Sequence, residues 1–189
     1  MSVHDDVTGL VLAGGQSRRF GTDKARHRVD GRPMIARVYA TVRAVARPVW
    51  VSVQRAGDRY DDVLPEGVRH VTDSQPETGP LAGLLAGSRA AETTWLLAVS
   101  CDLPYLTADV LRSLLDARVP SVDVVVPETP DGRCHPLCAL YRQPTVEPVI
   151  ETLLAEERRA VRALLHRLNT DQISVPAAPL RNVNRKDDL

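Results

Sequence analysis

The segment LAGGQSRRFGTDK, Leu12 to Lys24, concentrates the groups that hold a polyphosphate. Gly14 and Gly15 let backbone amides approach an anion closely, and Arg18, Arg19 and Lys24 supply converging positive charge. Of 11 glycines in the chain, Gly9, Gly14, Gly15, Gly21 and Gly31 fall within the first 31 residues. Two common phosphate loops do not fit. GxxxxGK[ST] fails because Gly21 is followed by Thr22 and Asp23, and GxGxxG fails at Gly14-Gly15-Gln16. A glycine-rich turn with solvated cations is the plainer reading of the same residues.

Further along, Cys101-Asp102-Leu103-Pro104 follows the apolar run Trp95–Val99. A carboxylate at the end of a central strand suits Mg²⁺, which takes one or two protein carboxylates and completes its shell with phosphate and water. Asp102 could equally cap the turn that follows. Asp73 stands in the same relation to the run Val68–Val71, where it could touch a nucleoside or simply end a strand. Gly79-Pro80-Leu81-Ala82-Gly83 permits close approach to a helix start, by a ligand or by the sheet. Arg133 and His135, in a polar turn, suit an anionic substrate or plain solvent. In Asn182-Val183-Asn184, extended alternation puts both amides on one side. Cys134, His135 and Cys138 fall short of the four ligands of a structural zinc site. Ser17 has no recognisable base partner, so nucleophilic serine chemistry has no support.

The elements that must position these groups alternate. Strands are expected at Val7–Leu12, Val49–Val53, Val68–Val71, Trp95–Val99 and Val122–Val126, with shorter ones at Leu137–Tyr141 and Ile173–Val175. Helices are expected at Pro33–Ala46, where Met34, Ile35, Val38, Val42 and Val45 share a face, at Pro80–Ala91, and at Ala108–Ala117 with Thr107 as N-cap. Thr145–Leu168 reads as helical and charged, with Pro148 near a helix start. The early strands are continuous apolar runs, as expected when helices cover both faces. Trp50 and Trp95 fall in such runs and read as core. The expected fold is a single α/β domain over residues 1–189, a three-layer α/β/α sandwich around a mostly parallel, mixed sheet. In such sheets ligands bind at the carboxyl ends of the strands, where the loops above lie.

Composition narrows the function. The 189 residues suit one domain. Lys plus Arg and Asp plus Glu both number 24, so a general nucleic-acid binder, which carries a basic excess, is not expected. Three cysteines are too few for a disulfide scaffold, which favours a reducing compartment. No signal-like start and no apolar run of about 20 residues is present, so a cytoplasmic protein without membrane contact is expected.

Taken in order, LAGGQSRRFGTDK, TDS with GPLAG, CDLPYL, RCHPL and NVN resemble the molybdenum cofactor guanylyltransferases, from about Leu10 to the C-terminus. The resemblance implies a Rossmann-like nucleotidyltransferase fold. It implies that Leu12, Ala13, Gly14 and Gly15 contact the guanine nucleotide and that Lys24 binds phosphate; Arg18 or Arg19, from their place in the same loop, would support Lys24. Asp73 and Gln54 would contact nucleotide, and Asp102 nucleotide and Mg²⁺. Arg133, His135, Asn182 and Asn184 would face the pterin substrate. The paired glycine is similar to the guanylyl-transferring members and unlike the AAG of cytidylyl-transferring ones. The chain departs from the family pattern at Phe20, at Arg26-His27-Arg28, at Gln54 and at Arg185-Lys186.

The expected reaction moves GMP from GTP to the phosphate of molybdopterin carrying molybdenum and releases pyrophosphate. The partners implied are GTP and molybdopterin, with proteins that deliver the cofactor or receive it. The alternatives are a sister transferase using CTP or another phosphorylated acceptor, and a nucleotide-binding module without turnover.

Overall fold

The apolar runs assemble into one seven-stranded sheet. Its strands are β1 (Val7–Leu12), β4 (Val49–Val53), β5 (Arg69–Thr72), β6 (Trp95–Ser100), β7 (Val124–Glu128), β8 (Cys138–Arg142) and β9 (Thr170–Ser174), in the order β5-β4-β1-β6-β8-β7-β9. A separate two-stranded ribbon pairs β2 (Arg28–Val29) with β3 (Arg32–Pro33). The computed structural model describes residues 3–13, 23–73, 78–184 and 188. The expected phosphate-loop residues Gly14, Gly15, Arg18 and Arg19 therefore lie outside the described residues, as do Ser17, Phe20, Arg185 and Lys186.

β1 pairs parallel with both β4 and β6, and every residue of β1 and β4 is buried. Helices α1 (Met34–Arg43) and α3 (Ala108–Asp116) cover one face; α2 (Pro80–Ala90) and α4 (Gln143–Ala155) cover the other. Strand alternation separates two cores. Val7 and Val11 meet Ile35, Val38 and Leu111 on one side, and Leu10 and Leu12 meet Leu81 and Leu84 on the other. Trp50 and Trp95 are buried, each with an arginine stacked on its ring, Arg69 at 4.5 Å and Arg142 at 4.7 Å. The expected three-layer mixed sandwich is the observed one.

Three local expectations are corrected, and a fourth, Thr107 as N-cap, holds in position. Thr145–Leu168 is not one helix: α4 stops at Ala155 and a four-residue α5 (Arg162–Leu165) follows. Glu157 adopts φ 58°, and the amides of Arg158 and Glu157 turn back to the carbonyls of Leu153 and Leu154 at 2.8 and 3.0 Å, a Schellman stop. Pro148 sits inside α4, while Pro144 occupies the first turn. Thr107 holds the N-cap position of α3, but its side chain makes no capping bond. The last strand begins at Thr170, earlier than Ile173. Its Asp171 and Gln172 are exposed, and parallel pairing with β7, not an apolar run, draws it into the sheet.

Close approach of α2 to the sheet depends on glycine. A Cβ on Gly87 would stand 2.2 Å from Cδ2 and 3.0 Å from Cγ of Leu10, a residue with no exposed surface. Gly87→Ala gains about 1 kcal/mol of helix propensity and forces overpacking that costs about 1–3 kcal/mol. The variant is expected to be less stable, with a lower urea midpoint at unchanged denaturant slope; an unchanged or higher midpoint contradicts this packing.

Candidate active site

The connections gather chemistry at one edge of the sheet. β1, β4, β5, β6, β7 and β9 all point their carboxyl ends there, and β8 runs the other way, so the turn that precedes β8 arrives at the same edge. The Ser100 amide donates to the Leu137 carbonyl at 2.7 Å, and the Cys101 amide to the Leu12 carbonyl at 3.1 Å. Asp102 thus stands between the end of β1 and the Arg133–Leu137 turn.

Asp102 is the centre of this edge. Its side chain is 16% exposed, and Oδ2 accepts from Nζ of Lys24 at 3.1 Å. The same Nζ donates to Oδ1 of Asn184 at 2.7 Å. Oδ1 of Asp102 is buried with no hydrogen-bond partner among the described residues. A buried carboxylate oxygen without a donor is costly, and it is the kind of ligand a hard dication takes. Lys24 reaches this position from the short 3₁₀ turn Lys24–Arg26, where Asp23 accepts from the Ala25 amide at 3.0 Å. Arg26 explains one departure from the family pattern: it pairs with Asp23 and Asp62, donates to the Arg59 carbonyl and lies 5.0 Å over the Tyr60 ring.

Asparagines 182 and 184 arrive on a C-terminal strap. Val183 is fully buried against Val29 and Met34, its amide donates to the Asp102 carbonyl at 3.0 Å, and Arg181 stacks 4.6 Å from the Tyr105 ring. Burying Val183 turns its two neighbours toward the site, the alternation expected from sequence. Asn182 lines a cleft of about 290 Å³ with Ser100, Asp102, Arg133, His135 and Arg162. A second cleft of about 690 Å³ adjoins it and shares Arg133, His135 and Asn182. The His135 imidazole is held below its ordinary value, by burial first and then by the nearby Arg133 guanidinium, so it carries no charge at neutral pH. Burial pushes the Cys101 and Cys138 thiols up to about 12, so neither is a nucleophile.

The structure therefore brings together Lys24, Asp102, Asn182, Asn184, Arg133 and His135. The other described candidates lie at the end of β1 and on its far side. Asp73 is buried, its Oδ1 accepting from Ser52 Oγ at 3.0 Å, and Gly83 of α2 packs against both. Leu12 points its side chain into the core, the Ala13 amide donates to the Ser52 carbonyl, and Gln54 follows β4, half-buried. Sequence reasoning missed Arg162, which stands at the start of α5 inside a charged run that reads as a solvated helix face. It also missed Ser52 and the anchoring role of Val183; only the valine between two asparagines hinted at the last.

An open α/β sheet with a lysine–aspartate pair and cationic clefts at its carboxyl edge has the architecture of a Rossmann-like nucleotidyltransferase. Solved structures share the fold: a protein of Aquifex aeolicus superposes with TM-score 0.79 at 26% identity over 95% of this chain and 94% of that one. The molybdopterin-guanine dinucleotide biosynthesis protein A of Archaeoglobus fulgidus gives 0.78 at 21%, over 96% and 94%. The chain belongs to the MobA-like NTP transferase family, whose model matches residues 9–173. A molybdenum cofactor guanylyltransferase of Desulfosudis oleivorans is 36% identical over 98% of this chain and 93% of that relative. No helix among the described residues is long and apolar enough to cross a membrane.

Burial pushes the Asp73 carboxyl from 3.8 up to about 6, with the Ser52 hydroxyl opposing. Folding thus favours its protonated form. No cost arises below pH 3.8, a cost develops between 3.8 and 6, and it is complete above. At pH 8 the buried charge costs on the order of 2–3 kcal/mol. Asp73→Asn is expected to stabilise the ligand-free protein at pH 8 and to lose that advantage as the pH falls toward 4; denaturant midpoints across this range check it.

Proposed function

We propose that this protein transfers GMP from GTP to the phosphate of molybdenum-bearing molybdopterin, with release of pyrophosphate. A terminal phosphate oxygen of the acceptor attacks the α-phosphorus in line, the bond from α-phosphorus to the bridging oxygen breaks, and the electron pair leaves with pyrophosphate. The chain needs no side-chain nucleophile for this. Positioning and charge stabilisation suffice.

The observation that carries the reading is the Lys24–Asp102–Asn184 node beside a cationic cleft, in a chain similar over nearly its whole length to guanylyltransferases. The partnerless Oδ1 of Asp102 fits Mg²⁺, which when bound supplies a Lewis acid that neutralises phosphate charge. Lys24, with Arg19, binds the triphosphate and offsets the charge that builds on the leaving pyrophosphate. The 290 Å³ cleft takes the acceptor phosphate, where Arg133 and Arg162 meet Asp102. The nucleotide lies on the other side, over Leu12, Ala13, Gly14, Gly15 and Gln54, with Asp73 facing it. Asn184 holds Lys24 in place, and Asn182 borders the acceptor.

Calorimetric titration with GTP, CTP and ATP, each with Mg²⁺, tests the nucleotide, and transfer of labelled GMP from GTP to molybdopterin tests the reaction. GTP is expected to bind tightest, and Asp102→Ala is expected to abolish both the preference and the transfer. Lys24→Ala is expected to lower kcat about 10²–10³-fold, the usual loss of one charge-stabilising donor. Near-native turnover in either variant refutes the role given to that residue, and preference for CTP moves the reading to a sister transferase.

A further inference from the structure

The larger cleft extends the acceptor site away from Asp102, and its polar groups are specific. Its wall is a tight turn between β7 and β8: the Thr129 amide donates to the Arg133 carbonyl at 3.0 Å and the Gly132 amide to the Thr129 carbonyl at 2.8 Å. Thr129 is buried, and its hydroxyl donates to Oδ1 of Asp131 at 2.5 Å. The Asp131 carboxylate is thereby fixed at the exposed lip of a cleft that Leu180 and the strap also line. The Thr129 hydroxyl holds the carboxyl below the ordinary carboxylate value, with smaller help from nearby backbone amides and Arg133, so it is ionised at neutral pH. The cleft's other described carboxylate, Asp188, accepts from the Asn184 amide at 2.6 Å.

Resting on the function proposed above, we infer that Asp131 reads the 2-amino-4-oxo edge of the acceptor's pterin ring and sets the acceptor specificity of the larger cleft. That edge presents two parallel N–H donors, the ring N–H and the exocyclic amine. A carboxylate accepts such a pair with both oxygens, as it accepts the fork of a guanidinium. Oδ1 keeps a lone pair after its bond to Thr129, since a carboxylate offers about four acceptor sites. The order of strands supports the assignment. β7 lies beyond β6 and β8, on the side away from β1, β4 and Asp73, so Asp131 is remote from the nucleotide. Arg133, common to both clefts, lies between the ring end and the phosphate end.

The test needs no turnover. Binding of 6-hydroxymethylpterin and of 6-hydroxymethyllumazine, which carries a 2-oxo acceptor in place of the amine, is measured by fluorescence on the full-length protein with GTP present. Wild-type protein is expected to prefer the pterin by roughly tenfold or more, since a site built to pair donors rejects a ring lacking one. Asp131→Asn, close in size and in an exposed turn, is expected to bring the ratio to about 1. Asp131→Glu, which keeps the charge, is expected to retain part of the preference. GTP affinity is to stay within twofold in both variants. Equal binding of the two rings by wild-type protein, no binding of either, or discrimination that survives Asp131→Asn overturns the inference. So does a loss of GTP affinity in Asp131→Asn with the ring preference intact. A protein that discriminates the rings through Asp131 yet fails to transfer GMP refutes the proposed function alone.

Discussion

A half-sequestered negative charge at the end of the central strand governs the active edge of this protein. Asp102 sits where β6 leaves the sheet, 16% exposed. A carboxylate in that setting must be paired, because removing a charge from water without a partner costs several kcal/mol. The partners come from the two ends of the chain. Lys24 lies 78 residues before it, and Asn184, 160 residues after Lys24, completes the node. The backbone carbonyl of Asp102 also accepts the Val183 amide, so the strap is hydrogen-bonded to the residue it serves. Arg37 of α1 donates to the Pro104 carbonyl at 3.0 Å and the Val29 carbonyl at 3.2 Å, which locks the turn after Asp102 against the ribbon after Lys24. Lys24 and Oδ2 of Asp102 hold each other in place, while Oδ1 of Asp102 is left open. That is preorganisation, with little rearrangement left for the moment of reaction.

The second constraint is the single antiparallel strand. A parallel β8 would have delivered its preceding turn to the opposite edge of the sheet, some strand length away from Asp102. Reversed, β8 pairs with β6 from Trp95↔Arg142 to Val99↔Cys138 and places Arg133 to Leu137 beside Ser100. The Tyr141 hydroxyl, buried in the sheet, donates to the Pro136 carbonyl and holds that turn against its own strand. The two clefts lined by Arg133 and His135 therefore exist because one strand breaks the parallel rule.

Most of the architecture was legible because burial on both faces writes itself as unbroken apolar runs. Val7–Leu12 and Val49–Val53 were readable to the residue, while Thr170–Ser174 was not, since an edge strand that packs only Ile173 on the core carries almost no apolar signature. The Schellman stop at Glu157 was hidden because a glutamate, not a glycine, takes the left-handed position. At the site, Lys24 and Asp102 could be singled out by type and by the strands they follow. Their direct contact could not, because nothing local encodes a distance across 78 residues. Arg162 was invisible for a different reason: an exposed charged residue close to Glu156, Glu157, Arg158 and Arg159 looks like any solvated surface until the fold brings it to the border of the cleft.

Zero net charge and two anionic substrates are reconciled by where the charges are spent. Arg59 pairs with Asp61, Arg89 with Glu147 and Glu151, Arg112 with Asp109, Arg118 with Asp6, and Arg167 with Glu156. Exposed pairs of this kind add little stability. Their consequence is electrostatic: each neutralises its own arginine locally. Arg133 and Arg162 form no ion pair with the described residues, and both line the cleft that contains Asp102. Their positive charge therefore stands in a concave site beside Asp102, where it favours an incoming phosphate.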